Sequence, residues 1–155
     1  MTQFIDTFVR KFYYLRLSIT DVCNFCCTYC LPNNYKSKGY QVFIAKRNCL
    51  FNKIFCRALA TKKIRLIGGE PAMRLDFIDI ITTIKQNQAV KKIVVASNGY
   101  RLAKNVIHWK SAGLTDINVS VDSLDPRQFL AIIGQDKFFK LCSGLMLHWR
   151  LVLTK

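Results

Sequence analysis

The sequence of 155 residues lacks long apolar runs. No stretch approaches the about 20 apolar residues that cross a bilayer, so we expect no membrane-spanning helix and no membrane partner. The first residues, MTQFIDTFVRKFYY, lack the basic start and the continuous apolar stretch of a signal peptide. These absences predict a cytoplasmic protein. In the reducing cytosol, the seven cysteines favour metal chemistry over disulfides.

Acidic residues are also scarce, at 9 against 24 Lys and Arg, which gives a formal net charge of +15. Such a balance favours polyanionic partners: nucleic acid, an anionic membrane or a phosphorylated substrate. The basic residues are scattered, with no run longer than two. We therefore expect no nucleic-acid partner. The alternative is a basic module whose aromatic residues at 12–14 stack on single strands beside Arg10 and Lys11.

Four segments predict β-strands that alternate with helices, which is the order of parallel βα units. The predicted strands are residues 14–19, 63–67, 92–97 and 116–122. The predicted helices are residues 44–60, 74–86, 102–112 and 126–133. In the first, second and fourth strands, apolar and polar residues alternate, so each strand has one apolar face. This pattern favours an α/β barrel with a polar lumen over a doubly wound sheet, and we place the active site in that lumen.

Three cysteines follow the first predicted strand with the spacing C-x3-C-x2-C: Cys23, Cys27 and Cys30. Thiolates this close can bind three irons of a [4Fe-4S] cluster. The fourth iron is then free to chelate S-adenosylmethionine (SAM), whose reductive cleavage yields a 5′-deoxyadenosyl radical. The alternatives are buried thiols and a zinc site, because Cys26 divides the loop into two C-x2-C pairs. The spacing alone leaves these readings open.

Five segments resemble the radical SAM GTP 3′,8-cyclases, the first enzymes of molybdenum cofactor biosynthesis. They are LRLSITDVCNFCCTYCLP (15–32), KIRLIGGEP (63–71), SNGYRL (97–102), AGLTDINVSVDSLDPRQF (112–129) and IIGQDKF (132–138). The resemblance implies a truncated, partial (βα) barrel of about four βα units over residues 1–139, followed by a divergent tail, 140–155. It also implies a lyase that cyclises GTP to 3′,8-cyclo-7,8-dihydroguanosine triphosphate.

The resemblance assigns site residues and partners. One [4Fe-4S] cluster is implied on Cys23, Cys27 and Cys30. The implied SAM contacts are Tyr29, Gly69 and Ser120, and the implied GTP contacts are Arg16 and Arg65. Two guanidinium groups suit a triphosphate because Arg forms bidentate bonds to phosphate. The further implied partners are an electron donor such as flavodoxin or ferredoxin and a second copy in a homodimer.

The chain departs from the family pattern in several places. Cys26 replaces a basic residue, and Ile67 and Ala96 replace threonines. We assign no role to Cys26, Cys49, Cys56 or Cys142. The lysine that contacts GTP in the family and its second three-cysteine cluster have no counterpart in these 155 residues. The alternative function is therefore a catalytically inactive remnant that binds a cluster and SAM.

A last expectation concerns the fourth predicted strand, which would lie near an open sheet edge. Such edges recruit other strands unless something covers them. The apolar tail 141–153 is the predicted cover, as a helix or as a fifth strand.

Overall fold

The predicted strands form one parallel sheet. The computed structural model describes residues 7–8, 13–30 and 61–153, with the backbone alone from residue 147. The strands are β1 (Tyr14–Ser18), β2 (Lys63–Ile67), β3 (Lys92–Ser97) and β4 (Asp116–Val119). They pair in parallel in the order β1-β2-β3-β4. The α/β class is confirmed, with the strand arrangement of a partial (βα) barrel.

Helices follow the second, third and fourth strands. They are α1 (Phe77–Lys85), α2 (Leu102–Ala112), α3 (Pro126–Ile133) and α4 (Phe138–Leu153). The predicted bounds of α2 and α3 are confirmed. α3 begins where the Asp125 carboxylate accepts from the backbone N–H groups of Arg127 and Gln128, at 2.7 and 3.0 Å. The predicted helix 44–60, with Cys49 and Cys56, lies outside the described residues. Within the described part, no helix is long and apolar enough to cross a membrane.

Two predicted strand ends are wrong by one to three residues. β1 ends at Ser18 and β4 ends at Val119. The pairing continues for one hydrogen bond beyond each end: Ile19 N–H donates to the Ile67 carbonyl, and Ser120 N–H donates to the Ser97 carbonyl, both at 2.9 Å. At both places the chain then leaves the sheet to form a loop.

The predicted start of α1 at Arg74 is also wrong, because a short 3-10 turn, Pro71–Met73, comes first. The Arg74 side chain is buried and donates to the Ile19 carbonyl at 2.6 Å. It also forms a two-pronged ion pair with Asp76, with both N···O distances 2.7 Å. These bonds turn the chain across the end of β1 before α1 begins at Phe77.

The main core lies between the sheet and one layer of helices. Its strand residues are Ile64, Leu66, Ile93 and Val95, and α1 and α2 add Phe77, Ile80, Leu102 and Trp109, among others. The rings of Phe77 and Trp109 meet edge to face, with centroids 5.4 Å apart. The opposite face carries polar residues, as the alternation predicts. β3 differs, since Val94 on that face is also buried.

The tail forms a helix rather than a fifth strand. α4 packs beside α2 and contacts α3. Leu141 is buried in a second apolar cluster with Phe25, Phe129 and Ile133. In the described part of the chain, β4 pairs with β3 alone, so the tail covers an apolar cluster and not the edge of β4.

Candidate metal centre

The carboxyl ends of the four strands point to one edge of the sheet, where ligands bind in parallel α/β folds. The cysteine loop follows β1, and Gly68 to Glu70 follow β2. Asn98 and Gly99 follow β3, and residues 120–125 follow β4. The four motifs that are separate in sequence therefore meet at this edge.

An aromatic side chain anchors the cysteine loop. Phe25 is 2% exposed and meets Tyr100 and Phe129 edge to face, with centroid distances of 6.2 and 6.3 Å. Cys23 and Cys27 are half-buried against the same cluster. Cys26 and Cys30 are exposed. Phe25 thus fixes the loop on the apolar cluster, while the four thiols of the loop are half-buried or exposed.

The last residues of α3 and the segment after it bind the backbone of the cysteine loop. Cys26 N–H donates to the Ile133 carbonyl at 3.3 Å, and Thr28 N–H donates to the Ile132 carbonyl at 3.0 Å. Gln135 Nε2 donates to the Asn24 carbonyl at 2.7 Å. The segment IIGQ therefore positions the loop. Cys142 is half-buried on α4, outside this loop.

The loop offers three thiols as a donor set. Burial raises the pKa values of Cys23 and Cys27; the nearby Glu70 charge adds to the effect at Cys23, and the Cys23 and Asp122 charges add to it at Cys27. Among the described residues, no three His, Cys, Asp or Glu side chains are arranged to hold a single metal ion. A cubane does not require that arrangement, since each thiolate binds a different iron. The fit to a cluster rests on the chemistry of the donors, which are cysteine thiols within one loop.

Gly69 lies against the segment that leads to Cys23. A Cβ atom on Gly69 would lie 2.5 Å from the Val22 carbonyl oxygen and 2.7 Å from its carbon. Gly69 N–H donates to the Thr20 carbonyl at 2.9 Å. Because glycine has no side chain, the backbone carbonyl of Val22 can lie this close to Gly69. The sequence motif alone did not reveal this role.

Sequence reasoning also missed the buried carboxylate of Glu70. It accepts hydrogen bonds from Ala72 N–H and Ser97 Oγ–H at 3.0 and 2.9 Å, and from Asn98 N–H at 2.6 Å. Burial raises the pKa of Glu70, and these hydrogen bonds oppose the shift. Glu70 ties the loop after β2 to the end of β3. The sequence signal that could have identified Glu70 was an acidic residue that follows two glycines and precedes a proline.

Tyr29 reaches across the site to the loop after β4. Its hydroxyl donates to Asp122 Oδ1 at 2.9 Å, while the side chain is 61% exposed. Burial of the hydroxyl and this hydrogen bond raise the pKa of Tyr29. Ser120, two residues before Asp122, is exposed. The structure thus places Tyr29 beside the residues that follow β4.

Arg16 and Arg65 lie opposite each other in the register of β1 and β2. Paired strands are about 4.8 Å apart, so two like charges are neighbours on the polar face. Neither forms a salt bridge with a described residue. The Arg65 guanidinium lies 5.7 Å from the Tyr14 ring centroid, and its Nε is buried without a hydrogen-bond partner among the described residues.

Comparison with known families shows the superfamily of this chain. The model of the Radical SAM superfamily matches residues 17–143. The chain belongs to the radical SAM superfamily. Two curated relatives are both named GTP 3′,8-cyclase. The one from Yersinia pestis is 58% identical over 145 residues, 94% of this chain and 44% of the relative. The one from Photorhabdus laumondii subsp. laumondii is 57% identical over 144 residues, 92% of this chain and 44% of the relative. The chain thus spans less than half of each relative.

Two solved structures share the fold. Streptococcus suis SuiB bound to S-adenosylmethionine matches with a TM-score of 0.65 at 17% identity, over 83% of this chain and 30% of SuiB. BtrN in complex with AdoMet and 2-DOIA matches with a TM-score of 0.58 at 17% identity, over 83% of this chain and 55% of BtrN. At this identity, the likeness concerns the fold alone.

Proposed function

We propose that this chain is the cluster- and SAM-binding part of a GTP 3′,8-cyclase of the molybdenum cofactor pathway, acting in the cytoplasm. The observation that carries the proposal is the 58% identity over 145 residues to the Yersinia pestis enzyme of that name. The match covers 44% of that relative, so a test of activity must supply the rest of the relative's sequence.

In this proposal, Cys23, Cys27 and Cys30 hold one [4Fe-4S] cluster. When bound, the cluster supplies the electron that breaks a carbon–sulfur bond of SAM. The protein's part is to fix the loop, through Phe25 in the apolar cluster and through the bonds from the end of α3. A zinc site fits less well, because it needs four ligands around one ion, and among the described residues no three His, Cys, Asp or Glu side chains are arranged to hold a single metal ion.

The proposed SAM contacts lie around the loop. Tyr29 lies between two ligands in sequence, and its bond to Asp122 orients the ring. Gly69 N–H is engaged by Thr20, so the proposed contact with the methionyl amino group uses the Gly69 carbonyl as acceptor. Ser120 supplies an exposed hydroxyl at the end of β4.

The proposed GTP contacts are Arg16 and Arg65. Like charges directly opposite each other in a sheet destabilise it, and an anion between them relieves the repulsion. A triphosphate also offers acceptors to the buried Arg65 Nε. The proposal further includes a flavodoxin- or ferredoxin-type donor and a homodimer. The formal net charge of +15 suits an acidic donor.

The experiment is a chimera in which the 145 matched residues of this chain replace the aligned part of the Yersinia pestis enzyme. After anaerobic reconstitution with iron and sulfide, it receives SAM, GTP and a strong reductant. We expect both 5′-deoxyadenosine and cyclised GTP by chromatography. The Arg16→Ala/Arg65→Ala variant should keep 5′-deoxyadenosine formation and lose cyclised GTP, whereas Cys27→Ala should lose both. A chimera that forms neither product would favour the inactive remnant.

The 155-residue chain alone tests the alternatives. We expect it to hold iron and to form 5′-deoxyadenosine slowly, independently of GTP. Cyclisation requires the ribose hydrogen to lie within near-attack distance, and a misplacement of about 1 Å costs on the order of a hundredfold in rate. We therefore expect no cyclised GTP without the parts that fix the base in the family. Retention of zinc in place of iron would contradict the proposal.

A further inference from the structure

Asn98 joins the loop after β3 to Cys23. An Asn amide carries two N–H groups. Asn98 Nδ2 lies 2.9 Å from Asn24 Oδ1 and 3.9 Å from Cys23 Sγ. Asn98 Oδ1 accepts from Tyr100 N–H at 3.1 Å, which fixes the orientation of the amide. The side chain therefore presents a donor, and not an acceptor, to the sulfur.

Glu70 fixes both sides of this contact. Its Oε2 accepts from Asn98 N–H at 2.6 Å, while its own N–H donates to the Val22 carbonyl at 2.8 Å, directly before Cys23. The Glu70 side chain is 1% exposed. Its other oxygen is held by Ser97 and Ala72. A buried group with this many bonds has little freedom to move, so it sets the distance between Asn98 and Cys23.

Asn24 supplies an independent observation. Its Oδ1 is occupied by Asn98, and its Nδ2 is buried without a hydrogen-bond partner among the described residues. A buried amide donor without a partner costs free energy. A cluster sulfur next to Cys23 would be a suitable acceptor. Both amides beside Cys23 thus offer an N–H donor. That of Asn98 lies near Cys23 Sγ, and that of Asn24 has no partner among the described residues.

We propose that Asn98, held by Glu70, is a positioning residue that raises the reduction potential of the cluster by donating an N–H to Cys23 Sγ. Hydrogen bonds to cluster sulfurs stabilise the reduced state, which carries more negative charge. The inference rests on the proposed function only in taking Cys23 as a cluster ligand.

Two variants of Asn98 test the donor. Asn98→Asp keeps the acceptor for Tyr100 but replaces the amide donor and adds a charge. Asn98→Ser is neutral and keeps a hydroxyl for the turn, but it is too short to reach Cys23. The reduction potential of the anaerobically reconstituted 155-residue chain is measured by mediated titration. We expect a shift of about tenfold in the relative stability of the reduced state, or about 59 mV lower for one electron.

The matched control is Asn105→Asp on α2. Asn105 Nδ2 donates to the Arg101 carbonyl at 3.1 Å, so this variant loses the same donor and adds the same charge outside the cysteine loop. It should leave the potential unchanged. If Asn98→Asp fails to fold by circular dichroism, the neutral Asn98→Ser variant decides.

A third variant tests whether Glu70 acts through Asn98. Loss of the Glu70 charge near Cys23 raises the potential by itself, so the test compares the Asn98→Ser shift with and without Glu70→Gln. We expect Asn98→Ser to shift the potential less in the Glu70→Gln background than in the unsubstituted chain, because coupled residues are not additive. Additive shifts, or an unchanged potential in Asn98→Ser with full iron content, would overturn the inference. If the unsubstituted chain holds no iron, the proposed function fails instead.

Discussion

Gly69→Ala tests whether this glycine serves the fold or only the ligand. The new methyl group would lie 2.5 Å from the Val22 oxygen, and real Cβ contacts are not shorter than 3.0 Å, so the backbone must move by at least 0.5 Å. Gly69 is not among the glycines with positive φ, so the clash is the main cost. The neighbour is backbone and cannot rotate away.

The expected loss of unfolding free energy is about 3 kcal/mol. Overpacking a filled site costs about 1–3 kcal/mol, and the shift also weakens the bonds that Gly69 and Glu70 make to Thr20 and Val22. Urea unfolding of the chain without iron or SAM, followed by circular dichroism, measures it. Gly134→Ala is the control, since its Cβ would have 3.6 Å to Cys26 but a φ of +73°, which costs about 1–2 kcal/mol. If Gly69→Ala matches the unsubstituted chain in stability and loses only SAM binding, the backbone argument is refuted.

Further predictions concern the ligands and the buried network. Cys27→Ala should lose cluster iron, whereas Cys26→Arg should retain it; equal iron in both would contradict the ligand assignment. Arg74→Met should lower the unfolding free energy by about 3 kcal/mol, because it leaves the buried Ile19 carbonyl and the half-buried Asp76 carboxylate without their donor; a loss below about 1 kcal/mol in urea unfolding would contradict this. Burial raises the pKa of Glu70 above its ordinary 4.5, so the folded chain binds this proton more tightly. Stability should therefore fall as the pH rises from 4.5 through the folded-state pKa, and Glu70→Gln should lack that slope. Deleting residues 141–155 should lower solubility, because it uncovers Phe25 and Phe129; an unchanged monomer by light scattering would argue against it.

Local patterns predicted most of the fold. The alternation in β1, β2 and β4 gave the two faces of the sheet, and Asp125 before Pro126 predicted the start of α3. The start of α1 was wrong because Arg74 binds Ile19, which is 55 residues away. Helical periodicity carries no information on such a bond.

The candidate site could be predicted only where a motif lies within one segment. The thiol spacing is of this kind, and so is the alternation that places Arg16 and Arg65 each on the polar face of its own strand. Glu70 and Asn98 act through partners 27 to 75 residues away, at strand ends that only the folded sheet brings together. Gly69 was singled out by the motif, but its steric neighbour, Val22, is visible only in the structure.

The central claim is that Cys23, Cys27 and Cys30 hold a cluster that binds SAM. Electron paramagnetic resonance of the reduced, reconstituted chain with and without SAM tests it most directly. We predict a [4Fe-4S] signal that changes on SAM addition and is absent in Cys27→Ala. A signal that SAM leaves unchanged, or one that persists in Cys27→Ala, would contradict the account.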